Sequence, residues 1–100
     1  MENLTKLLIK CETLLRNVEE NFWANKICLA LEKAGSHLNT SMLDEILSWY
    51  GGMGSFNDLL VSRYNNHFVD ETNEEKLNAE LNRVRNQIYQ EVLNIKLTMR

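Results

Sequence analysis

Asp70, Glu71, Glu74 and Glu75 crowd four carboxylates into six residues, with Asp58 a short way upstream. Carboxylates this close can serve two chemistries. As a general acid and base they need an apolar pocket that separates their protonation equilibria. The stretch from Asn65 to Asn73 is polar apart from Phe68 and Val69, which does not suit that role. As a solvated cluster they can attract a basic partner, speed the encounter and fix its register. They also suit the start of a helix, where the dipole favours negative charge by about 0.3–1 kcal/mol per group. Tyr64 and Phe68 stand four residues apart in the same setting, and aromatic side chains carry much of the energy of protein contacts. The expected partner-binding set is therefore Asp58, Tyr64, Phe68, Asp70, Glu71, Glu74 and Glu75.

Other reactive types are present without the spacing that would assemble them. His37 and His67 lie beside Ser36 and Asn66 and read as solvated residues. Cys11 and Cys28 fall on apolar helix faces and read as small buried hydrophobes. There is no C-x-x-C, no Cys/His cluster at zinc spacing, no H-E-x-x-H and no nucleophile elbow. The expectation is a protein that is not an enzyme and that needs no cofactor and no metal.

The most distinctive string is Trp49-Tyr50-Gly51-Gly52-Met53-Gly54-Ser55-Phe56-Asn57-Asp58-Leu59. Glycines this dense permit backbone angles that a side chain forbids, and such a loop can cradle phosphate ahead of a helix. The Lys and Ser/Thr of a P-loop do not follow the last glycine, and G-x-G-x-x-G is missing. A tight turn that lets Phe56 and Leu59 enter the core is the better reading. The run Gly51 to Leu59 resembles the G-G-M-G-S-[FL]-N-D-L core of a family of small, uncharacterised bacterial proteins. The likeness is strong over this string and weaker in the apolar helices around it. Some relatives in that family are encoded near toxin genes, so the resemblance implies, by association, an immunity or antitoxin function.

The elements that must position these residues are helices, since the chain has no proline and its glycines fall at just two places. Leu4, Leu7, Leu8, Cys11, Leu14, Leu15 and Val18 recur at helical spacing, predicting a helix from about Asn3 to Glu19. A second, capped by Asn21 and ended by Gly35, carries Trp23, Ala24, Ile27, Cys28, Leu31 and Ala34. The short link implies an antiparallel hairpin. A third, capped by Asn39, Thr40 or Ser41, carries Met42, Leu43, Ile46, Leu47 and Tyr50 and must stop at Gly51-Gly52. For the run from Ser55 or Asn57 to Val61 helix and strand readings compete because it is short, and a short helix is the favoured form. Thr72-Asn73-Glu74-Glu75 has the form of a capping box and should open a long helix whose seam is Leu77, Leu81, Val84, Ile88, Val92 and Ile95. The prediction is an all-α protein, a single compact domain over residues 1–100 with four or five helices and a long C-terminal one packed on the first hairpin.

Composition sets the class. With 44% hydrophobic and 25% charged residues, neither disorder nor a membrane protein is indicated. The longest apolar stretches are a few residues, against about 20 for a membrane span, and the amphipathic N-terminus is unlike a secretory signal, so the cytoplasm is the expected address. A net charge of −3 with scattered basic residues argues against nucleic acid, although Arg83 and Arg85 could form a local basic patch. The 13 asparagines read as the base composition of an AT-rich genome. Small size, acidic balance and missing catalytic motifs point to a protein-binding inhibitor of a basic toxin domain. The alternative is a helical structural or regulatory protein that forms a homodimer through the long seam.

Overall fold

A computed structural model describes residues 2–34, 40–51, 55–62, 64 and 67–98, the side chains of Glu2, Ala34 and Glu71 apart. The expectations placed on Gly35, His37, Asn39 and Gly52 to Gly54 lie outside the described residues, as does the side chain of Glu71. Among the described residues the elements in chain order are α1 (Glu2–Asn17), α2 (Asn21–Ala34), α3 (Thr40–Ser48), a 3₁₀ turn (Phe56–Asp58) and α4 (Glu71–Thr98). Among the described residues there is no strand.

The helices close into a ring, with α1 against α2 and α4, and α3 against α2 and α4. Polar pairs across α4 give the directions. Asn3 meets Glu91 and Lys10 meets Glu80 on the α1 side, while Asp44 meets Lys96 and Tyr50 meets Arg85 on the α3 side. Both neighbours thus run antiparallel to α4, and the molecule is an up-down-up-down four-helix bundle. Its 28-residue α4 is about 42 Å long at 1.5 Å per residue, which accounts for the 45 × 22 × 22 Å shape.

Helical periodicity makes this core. Leu4, Leu8, Cys11, Leu15 and Val18 of the first stripe, Ala24 and Ile27 of the second, and Met42, Leu43 and Ile46 of the third are buried against Leu81, Val84, Ile88 and Val92 of α4. Each such side chain contributes roughly 1.5–3 kcal/mol through its removal from water. The α4 seam therefore faces its own bundle. Cys28 is only half-buried, with its thiol 3.9 Å from Glu32, so the expectation of a core position holds for Cys11 alone.

The ends of the elements depart from expectation in instructive ways. Glu20, not Asn21, caps α2, its Oε2 accepting the Trp23 N–H at 3.1 Å. Asp70, not Thr72, caps α4, because its Oδ1 accepts the N–H groups of Thr72 and Asn73 at 3.0 Å each and the Thr72 hydroxyl at 2.6 Å. A carboxylate that satisfies two helical N–H groups outcompetes a hydroxyl placed two residues later. The α3 helix stops at Ser48, before the glycines, and Gly51 with φ 104° turns the chain. The run from Ser55 to Val61 makes a single 3₁₀ turn and then extends from Leu59. It does not continue as a helix, because side chains from α4 take the backbone groups that a helix would use.

Candidate functional site

Two carbonyls of this connection are held by Arg85. Its guanidinium donates to the Phe56 C=O at 2.6 Å and the Leu59 C=O at 2.9 Å and also reaches Asn82. Arg85 is 5% exposed, and its Nε finds no acceptor among the described residues. Burial pushes its pKa down, an effect opposed by Tyr50, Cys11 and Asp58 nearby. The expected Arg83/Arg85 basic patch is thus corrected: Arg83 is exposed beside Glu80, while Arg85 is an internal anchor. The same burial pushes the Cys11 thiol up to about 12 and the Tyr50 phenol up as well. Phe56, the aromatic of the glycine-rich string, is fully buried among Trp23, Trp49 and Tyr50, with ring centroids 5.0, 6.0 and 5.7 Å away.

Farther along, the segment is pinned by His67, which corrects the expectation of a solvated histidine. His67 is 7% exposed. Its Nδ1 accepts the Ser62 backbone N–H at 2.9 Å, so the ring proton belongs on Nε2 and is donated to Glu20 Oε1 at 2.9 Å. Phe68 N–H then bonds to the Val18 C=O at 2.8 Å. Serine, histidine and glutamate meet here, but not as a nucleophilic triad. The serine contributes its backbone, while its hydroxyl accepts the Tyr64 N–H at 3.1 Å, and both ring nitrogens are engaged. The arrangement can hold a segment in place. It offers no activated nucleophile.

What it holds is the expected binding set. Tyr64 is 81% and Phe68 73% exposed, on either side of the buried His67. Asp58 is exposed at the end of the 3₁₀ turn, Asp70 and Glu75 are exposed, and Glu74 is half-buried in the first turn of α4. Between residues 58 and 75 five carboxylates face Arg63 alone, so this stretch carries −4 while the rest of the chain is +1. The net negative charge of the protein is therefore concentrated in this stretch of the sequence.

Three contributors escaped sequence reasoning: Glu20, His67 and Phe22. Phe22 opens α2 beside Glu20 and stays exposed, with Lys26 Nζ 5.4 Å from its ring centroid. A signal for His67 did exist, since it directly precedes Phe68-Val69, the one apolar pair in a polar run. Among the described residues no group of three or more His, Cys, Asp or Glu could hold a metal ion, and no described helix is long and apolar enough to cross a membrane.

A family model described as a domain of unknown function (DUF6966) matches residues 16–70, a span that runs from the end of α1 through Asp70. Neither the curated proteins nor the solved structures returned a match.

Proposed function

The chain belongs to the DUF6966 family, and from that premise we propose that it is a non-enzymatic protein-binding module, a stoichiometric inhibitor of a bacterial toxin or effector of the immunity-protein or antitoxin kind. The observation that carries the reading is the pairing of Tyr64 and Phe68, strongly exposed, with a segment charge of −4 on a backbone pinned from both sides. Solvent-facing aromatics held rigidly lose little entropy on binding, and the surrounding carboxylates steer a basic surface toward them. The resemblance of Gly51 to Leu59 to proteins encoded near toxin genes supports the toxin as the class of partner. The α4 seam is committed to the bundle core, which leaves it no role in joining two copies.

The test is co-expression with the product of the neighbouring gene in a bacterial host. Growth arrest relieved by the intact chain, and not by the Tyr64→Ala/Phe68→Ala variant, supports the reading. Failure of the two pure proteins to form a complex overturns it. Changing Asp70→Asn, Glu71→Gln, Glu74→Gln and Glu75→Gln together should slow association about tenfold at low salt and flatten its salt dependence. Asparagine at position 70 keeps the helix capped, so the folded state survives the change.

A further inference from the structure

Asn78 shows how α4 handles extended main chain. Its carboxamide accepts the Val61 N–H at 2.7 Å and donates to the Val61 C=O at 2.8 Å, a two-bond pairing that reads backbone and no side chain. Asn78 also begins a row at four-residue spacing: Asn78, Asn82, Asn86, Gln90 and Asn94. Each step advances about 6 Å and turns about 40° around the axis, so neighbours such as Asn86 and Gln90 share a flank while the whole row winds around the helix. Asn82 serves Arg85. Asn86, Gln90 and Asn94 are exposed and make no hydrogen bond with the described residues.

Beside Asn86 and Gln90 a groove of about 570 Å³ opens between α3 and α4, with Asn57, Tyr50, Tyr89 and Leu93 among its walls. The volume lies within the roughly 300–1,000 Å³ of ligand sites. Its described lining contains no lysine, arginine, aspartate or glutamate.

We propose that this groove binds a short, uncharged stretch of extended polypeptide from a partner, with Asn86 and Gln90 pairing its main chain as Asn78 pairs Val61. A carboxamide presents one acceptor and a donor side by side, matching the C=O and N–H of a peptide backbone. The 6 Å step of the row lies close to the roughly 6.6–6.8 Å between alternate residues of an extended chain, so successive carboxamides meet alternate residues. The protein already uses this mode on itself at Asn78, where the segment from Phe56 to Val61 runs along α4 from Arg85 to Asn78, and farther along the helix Asn86 and Gln90 have no hydrogen-bond partner among the described residues. Without lysine or arginine in its lining, the groove has nothing to neutralise phosphates, which disfavours nucleic acid. The tyrosine rings and Leu93 receive the side chain that points inward. At these positions the asparagine richness has a chemical use that base composition alone does not explain. The proposal does not rest on the inhibitor reading.

The test is titration of ¹⁵N-labelled protein with a panel of end-capped neutral pentapeptides that alternate apolar and hydroxyl residues. Saturable shifts of the Asn86 and Gln90 carboxamide resonances are expected. Affinity should fall at least tenfold in the Asn86→Asp/Gln90→Glu variant, whose exposed positions leave the circular dichroism unchanged. Peptides N-methylated at alternate amides should not bind. Absence of those shifts across the panel, undiminished binding by the variant, or equal binding of the N-methylated peptides would each overturn the proposal.

Discussion

The two connections that leave α1 and α3 solve the same problem by opposite means. Between α1 and α2 the chain needs three residues, and main-chain groups do almost everything. Glu20 N–H returns to the Leu15 C=O and Glu19 N–H to the Arg16 C=O, with Glu19 at φ 62°, which is a complete Schellman motif. Between α3 and α4 the chain takes 22 residues, 49–70, and side chains join the main chain in holding it: Arg85 and Asn78 of α4 serve Phe56, Leu59 and Val61, while His67, within the connection, serves Ser62 and is tied to Glu20. A local motif depends on few residues. A connection held by remote side chains fails when one of them goes, and it is the one that displays Tyr64 and Phe68.

Arg85→Met breaks the long connection most severely. It takes the charged donor from the Leu59 C=O and leaves the Phe56 C=O only the Leu59 N–H at 3.3 Å, so urea denaturation should show a loss of about 3 kcal/mol. His67→Ala strips the acceptor from the Ser62 N–H and the donor from Glu20, at about 2 kcal/mol. This loss is local: hydrogen exchange at Ser62 and Phe68 should accelerate while the helical circular dichroism stays. Equal exchange in wild type and variant would mean that the segment is held by packing alone and that the contrast between the two connections is wrong.

Alkali tests the foot of the long connection. Burial raises the Cys11 thiol to about 12 from 9.0, so the folded state keeps its proton where the unfolded chain has lost it. That contribution is fully present below pH 9 and is lost as pH climbs toward 12, at up to about 1.4 kcal/mol per pH unit for each such group. Tyr50, raised in the same sense, steepens the fall above pH 10. Denaturation at successive pH values should show this slope, and Cys11→Ala should remove the thiol's share. The smallest effect belongs to the short link. Glu19→Gly relieves a left-handed non-glycine residue and should add about 1 kcal/mol, read as a rise of about 4–8 °C in Tm. A destabilised Glu19→Gly variant would show that the glutamate makes a contribution beyond its backbone angle.

Apolar spacing, with the caps, glycines and short link that punctuate it, was enough to place all four helices, to choose the hairpin for α1 and α2, and to name the α4 seam, because burial of one face follows directly from a 3.6-residue period. The exposure of Tyr64 and Phe68 was legible too, from their polar surroundings. Spacing could not reveal which distant groups meet. The roles of His67, Glu20 and Arg85 depend on residues 47, 47 and 29 positions away, and a side chain's neighbours across such separations are set by how the helices pack. Thr72 looked like a cap because capping boxes are local patterns, yet Asp70 took the place by offering a charged acceptor to two N–H groups. Local periodicity therefore decided the bundle, while long-range polar pairing, invisible in one dimension, decided how the segment that displays Tyr64 and Phe68 is held.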